Sequence, residues 1–140
     1  MTEMIRYVSD RIALMDVMET YVKGVDERDM ALYRSTFTDD VRASIGGVTY
    51  DGADAWLAFI VAALERFGPT QHMLGPMLAE IDGDTAECRT DLQAVHYLKD
   101  RPDTTVTLWA TYEQTMRRTA DGWKIARHDI IQRGRRTQSD

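Results

Sequence analysis

Between Thr70 and Gln132, long segments rich in β-branched and aromatic residues alternate with short turn signals, and this pattern constrains the fold more than any other feature. The segments Thr70–Ile81, Ala86–Lys99, Val106–Arg118 and Trp123–Gln132 are separated by Asp82-Gly83-Asp84, a proline-containing stretch at Asp100–Asp103, and Asp121-Gly122. Connections this short join antiparallel neighbours, because a parallel crossover needs about a dozen residues or more. The C-terminal half therefore reads as a meander of four long strands.

What precedes the meander is mostly helical. Ser9 or Asp10 can cap a first helix, whose apolar positions Leu14, Met18, Tyr21 and Val25 recur at helical spacing, joined by Met15 and Val22. Gly24 lies near its end, and Asp26–Asp29 forms a charged connector. Asp29 then caps a short helix, Met30–Phe37. A strand over Val41–Ile45 meets the hairpin signal Gly46-Gly47 and returns as Val48–Tyr50. A third helix opens at Asp51 or Asp54 and runs through Phe67, with Gly68-Pro69 as its stop. Helices first and strands after predict an α+β fold, a curved antiparallel sheet wrapped around N-terminal helices. One domain over residues 1–140 is expected, ordered from about 9 to 132, with a basic polar tail beyond.

The charge balance narrows the partners. A net charge of −6 and a pI near 5.0 argue against nucleic acid, whose phosphates require a basic surface. The one basic cluster, Arg133, Arg135 and Arg136, falls in the expected tail and reads as a solvated terminus. Cys88 is the only cysteine, so no intrachain disulfide can form and a reducing compartment is the natural setting. The longest apolar stretch, Ala55–Leu64, is too short to span a bilayer, and no secretory apolar region opens the chain. A cytoplasmic protein without a membrane partner is expected.

Four residues could carry chemistry. Tyr21 lies on the apolar stripe of the first helix, and Asp26 follows where that helix frays. A carboxylate at the edge of a buried face can gain a histidine partner or a shifted pKa; the alternative is a turn aspartate in water. Strand alternation places Ala86, Cys88, Thr90, Leu92, Ala94, His96 and Leu98 on one face, so His96 points inward. It is either a satisfied core histidine or a catalytic one. His72 shares a face with Leu74 and Leu78 by the same alternation, and His128 shares one with Ala126 and Ile130. Three inward histidines raise the question of a metal, yet no His-x-His, HExxH or clustered Cys/His spacing is present, and no metal or other cofactor is expected. GxGxxG, P-loop and GxSxG patterns are also missing. Trp56, Trp109, Tyr112 and His128 are the candidates for lining a substrate cavity, although Trp109 shares its face with Thr107 and Thr111 and could instead meet another subunit.

The runs Tyr21–Asp29, Phe37–Asp40, Thr70-Gln71-His72, Asp82–Ala86 and Asp121–Lys124, in this order and spacing, resemble the SnoaL-like branch of the nuclear transport factor 2-like superfamily. The resemblance covers roughly Ser9 to Gln132. It implies a cone-shaped half-barrel enclosing one pocket for a small hydrophobic molecule, and commonly a homo-oligomer, dimer or trimer. In scytalone dehydratase, hexachlorocyclohexane dehydrochlorinase and bile acid 7α-dehydratase an aspartate after helix one pairs with a Thr-x-His histidine. By position these roles pass to Asp26 and His72, with Tyr21 as a proton or hydrogen-bond donor and His96 as a second histidine across the pocket. The implied activity is a cofactor-independent, dehydratase-like elimination on a cyclic or polyketide-like substrate. An isomerase, a cyclase or a non-catalytic binding module are the alternatives. Val41–Ile45 holds no carboxylate, so the base of ketosteroid isomerase has no counterpart, and Val25 and Ile45 stand where scytalone dehydratase has tyrosines.

Overall fold

The structure, a computed structural model, describes residues 2–140. Helix α1 (Glu3–Asp26) begins earlier than its internal capping signals imply, because Thr2 accepts a hydrogen bond from the Ile5 N–H and extends the helix by two turns. Its buried apolar side chains Leu14, Met18, Tyr21 and Val25 belong to the expected stripe, whereas Met15, joined to that stripe in the sequence, is exposed. Asp29 caps α2 (Met30–Arg34) through the Leu32 N–H. This helix is shorter than expected: Phe37 already belongs to β1 (Phe37–Ile45), which pairs across Gly46-Gly47 with β2 (Val48–Asp51). Helix α3 (Ala53–Leu64) ends before Gly68-Pro69, which lie inside β3 (Phe67–Asp82). A proline is tolerated there because β3 is an edge strand and its register shifts between Phe67 and Thr70.

Strands β4 (Thr85–Leu98), β5 (Thr104–Thr119) and β6 (Gly122–Ser139) complete the meander, antiparallel throughout. The six-stranded sheet has the order β2-β1-β6-β5-β4-β3, and β1 joins β6 in parallel. It curves without closing, with the helices in its concavity. The α+β architecture expected from the sequence is the one present. The basic run at the C-terminus is not a free tail. Gly134, Arg135 and Arg136 pair with Trp109, Leu108 and Thr107, because the first half of β5 would otherwise leave its backbone unpaired on that side. The side chains from Arg133 onward remain exposed, as a polar tail would be, on an ordered strand.

Two expected alternations fail at β-bulges. The register shifts between Leu74 and Met77, so Met77 turns inward while Leu78, expected beside His72, is 65% exposed. A second shift, between Thr115 and Met116, leaves Ala126 unpaired in β6, so Ile125 and His128 both face the core and Ala126 does not follow them. No helix of the described residues is long and apolar enough to cross a membrane.

Gly24 marks the closest approach of α1 to α2. A Cβ there would lie 2.6 Å from the Tyr33 nitrogen and 2.8 Å from its Cα, a collision with backbone that no rotamer relieves. The glycine serves this contact and not helix termination. Gly24→Ala should therefore destabilise the protein by about 1–3 kcal/mol despite alanine's better helix propensity, read as a lower urea midpoint at unchanged slope.

Candidate active site

Asp26 is the last residue of α1, and its carboxylate meets β3. Oδ2 accepts the His72 backbone N–H at 2.8 Å, while Oδ1 accepts the Thr70 hydroxyl at 2.9 Å and His72 Nδ1 at 2.7 Å. A carboxylate is an acceptor here, so Nδ1 carries a proton and the neutral ring keeps its lone pair on Nε2. Burial opposes the ionised form of Asp26, but the bonds from the His72 ring and N–H and from Thr70 outweigh it and hold the carboxyl below its ordinary pKa. Arg28, at φ 59°, fixes the turn: it donates to the Val25 and Gly68 carbonyls and to the Thr70 hydroxyl. Thr70 thus relays between Arg28 and Asp26.

His72 opens onto a cavity of about 470 Å³ between the helices and the concave sheet. Val25, Phe59, Ile60, Leu64, Val106, Leu108 and Ile130 make its walls largely apolar, and Tyr21, His96 and Tyr112 also reach it. His96 lies beside His72 and not across from it, because β3 and β4 are neighbours with Thr70 opposite His96. The two rings are 5.8 Å apart, and Phe67 packs on the other side of His96 at 4.8 Å. His96 Nδ1 donates to the Val106 carbonyl at 3.0 Å, leaving Nε2 as an acceptor. Burial lowers its pKa, only partly offset by that bond, so the neutral ring is favoured.

Tyr21 is 2% exposed and belongs to a second network. Its hydroxyl is 2.9 Å from His128 Nε2, and His128 Nδ1 is 3.0 Å from Gln114 Nε2. An amide nitrogen only donates, so the His128 proton sits on Nε2 and is donated to Tyr21. Gln114 Oε1 has no partner among the described residues. The Tyr21 hydroxyl keeps its own proton to donate. Burial raises its pKa well above the ordinary phenol, with Tyr112 and Tyr33 adding to the effect, while burial also pushes Tyr112 up to about 12 and His128 down to about 3.

Of the four residues expected to line a substrate cavity, Tyr112 reaches this one and three do not. Trp56 is fully buried, with its Nε1 donating to the Tyr33 hydroxyl at 3.0 Å behind the cavity wall. Trp109 stands on the convex face, where its Nε1 donates to Gln93. His128 is fully buried behind Tyr21. No group of three or more metal-ligating side chains is assembled among the described residues, and each histidine has its Nδ1 committed elsewhere. Arg28, Thr70 and Gln114 went unassigned in the sequence. Thr70, two residues before His72, had a signal in its alternation, whereas Arg28 and Gln114 are placed by contacts distant along the chain.

A model of the SnoaL-like domain matches residues 6–129. The chain belongs to the SnoaL-like family. Rv2910c, an uncharacterised protein of Mycobacterium tuberculosis, is 30% identical over 127 residues, covering 86% of this chain and 83% of its own. Among solved structures, a hexachlorocyclohexane dehydrochlorinase (LinA-type3) from Novosphingobium barchaimii superposes with a TM-score of 0.84 at 20% identity, over 98% of this chain and 94% of that one. A Novosphingobium aromaticivorans protein provisionally assigned as a scytalone dehydratase gives 0.86 at 19% identity, over 96% and 91%. At these identities the likeness to solved structures establishes the fold: the curved half-barrel is that of the SnoaL-like family.

The depressed pKa of His128 makes the fold acid-sensitive. Unfolded chains bind a proton at this ring below its ordinary 6.5, whereas the folded protein resists until about 3. Between these values the unfolded state holds more protons, so stability falls as pH falls, at up to ~1.4 kcal/mol per pH unit. Urea unfolding should show a loss of about 2 kcal/mol between about pH 7 and pH 5. A flat profile would contradict the buried neutral ring.

Proposed function

We propose that the protein is a cofactor-independent lyase that eliminates water, or a comparable leaving group, from a small hydrophobic cyclic or polyketide-like substrate. The observation that carries this reading is the Asp26–His72 pair: the ring lines a largely apolar cavity, and its Nε2 has no hydrogen-bond partner among the described residues. In this reading His72 Nε2 removes a proton from carbon next to a carbonyl. Asp26, kept ionised by its hydrogen bonds, holds the ring in the required tautomer and stabilises the imidazolium as it forms. The resulting enolate is a developing oxyanion in a low-dielectric site. Tyr21, whose oxygen is already held by His128, donates its hydrogen bond there or to the leaving hydroxyl.

His96 takes a different part from the one implied by the resemblance. Its ring is beside the base and favours neutrality, so it accepts a hydrogen bond from the substrate hydroxyl and orients it. The proton for the departing water comes from the imidazolium of His72, which returns the base to its starting state, while Tyr21, held un-ionised by burial, keeps its proton and gives only a hydrogen bond. No step calls on a metal or an organic cofactor, because the substrate's carbonyl acidifies its own C–H bond.

The test is a panel of hydrophobic β-hydroxy ketones, alicyclic and polyketide-like, followed by absorbance of the conjugated product. Asp26→Asn and His72→Gln should each lower turnover by about 10²–10⁴-fold while ligand binding persists. Tyr21→Phe should lower kcat more than it raises KM, the mark of a bond that strengthens in the transition state. Ligand binding with no turnover by the wild type, or turnover that survives His72→Gln, would replace this reading with a binding module. Solvent deuterium appearing in recovered substrate without elimination would indicate an isomerase instead.

A further inference from the structure

Arg66 and Arg135 both line the cavity, at the end where its residues become exposed. Arg135 arrives there through a β-bulge. The register of β5 and β6 shifts between Trp109 and Ala110, which pair with Gly134 and Gln132 and leave Arg133 unpaired. Before the bulge Ile130 and Gln132 face the cavity; after it Arg135 does, opposite the cavity residue Leu108, while Arg133 turns to the convex face and donates to Thr111. A regular strand would have sent Arg135 outward. Arg66 follows the end of α3 and lies over the Phe67 ring, its Cζ 4.5 Å from the centroid. Phe67 stacks on His96, and His96 neighbours His72, so one continuous wall leads from Arg66 to the proposed base.

Neither guanidinium is paired with a carboxylate among the described residues. By contrast Arg34, Arg117 and Arg118 each bind an aspartate. Glu65 is the one carboxylate in the cavity lining. In a chain of net charge −6, two cations without a carboxylate partner among the exposed lining of a largely apolar cavity, with a single acid in that lining, is a local reversal of sign.

We propose that this exposed end is an anion subsite, and that the ligand is an amphiphile with an apolar body in the cavity and a carboxylate, sulfate or phosphate-type group at Arg66 and Arg135. The proposal rests on the cavity being a ligand site, as the functional reading assumes. It adds a substrate class: the reacting carbon lies toward His72 and the charged group toward solvent. Guanidinium groups suit this task because their planar forks bind oxyanions bidentately.

Two fluorescent probes separate the claims. Anilinonaphthalene sulfonate and phenylnaphthylamine share one ring skeleton and differ in the sulfonate. The wild type should bind the sulfonate at least about fivefold more tightly at low salt, as expected for two exposed charge contacts. That preference should vanish in Arg66→Gln/Arg135→Gln and at about 1 M salt, where screening extends only ~3 Å, with neutral-probe affinity retained in the variant. Leu108→Trp, filling the cavity, should weaken both probes and so show that binding is internal. Equal affinity for the two probes, or a preference that survives in the double variant, overturns the anion subsite and leaves the cavity reading intact. Binding of neither probe, or binding of both unchanged by Leu108→Trp, removes the cavity as a ligand site and the subsite with it.

Discussion

The carboxylate of Asp26 is the joint on which this molecule depends. It ends the one long helix and takes three hydrogen bonds from the edge strand, two of them from His72. Beyond the Asp26 joint, Arg28 in a left-handed conformation ties the same turn to Gly68 and Thr70. An edge strand is paired on one side only, so the open margin of the half-barrel is held at this point by side-chain contacts. Hydrogen bonds to a charged group contribute roughly 1.5–3 kcal/mol each. The same bonds that hold the strand also set the tautomer of the imidazole. Structure and candidate chemistry thus share one carboxylate, which is why Asp26→Asn must be judged by binding and stability as well as by turnover.

A single helix carries both the proposed hydrogen-bond donor and the carboxylate that orients the proposed base. Tyr21 and Asp26 are five residues apart, about 140° around the helix axis, so one reaches the cavity floor while the other meets β3. Their separation is fixed by a continuous run of helical hydrogen bonds and needs no flexible loop. Behind Tyr21, His128 and Gln114 are fully buried and hydrogen-bonded in sequence. Burial forces these groups to stay neutral, and a neutral His128 with its proton on Nε2 leaves Tyr21 free to donate. The cost of desolvating the imidazole appears as acid sensitivity of the whole fold.

How much could be read from the sequence depended on where the strands are regular. Along β4 the alternation holds from Ala86 to Leu98, and every inward assignment there, His96 included, agrees with the structure. In β3 and β6 it fails at bulges near Gly75-Pro76, Ala126 and Arg133. The Gly75-Pro76 pair was a visible warning, since proline cannot donate to a ladder. Ala126 carries no such mark; its position follows from the pairing with β5. The same limit explains the histidines. Inward orientation is local, so it could be read, whereas the adjacency of His72 and His96 is set by strand register. Trp56 and Trp109 were equivalent as large aromatics in the sequence. One became core and the other convex surface because burial is decided by layers distant along the chain.

The third bulge shows how a small irregularity changes what a pocket recognises. Without the extra residue at Arg133, alternation would place Gly134 in the exposed lining and turn Arg135 away; with it, a cation replaces an empty position. On the proposed reading this gives the cavity an electrostatic direction. The His72 ring stands in the lining with the Asp26 carboxylate bonded to it outside the lining, and the exposed end holds two guanidinium groups. Between them the walls are largely apolar and the buried phenols remain un-ionised. An anionic amphiphile entering head-first would pair its charge with nothing along this path and would approach the carboxylate. Entering body-first, it leaves its charge with the arginines and delivers carbon to the base. Orientation would then be decided by desolvation and charge before any specific shape contact is made, which allows a largely apolar pocket to present one end of its ligand to His72.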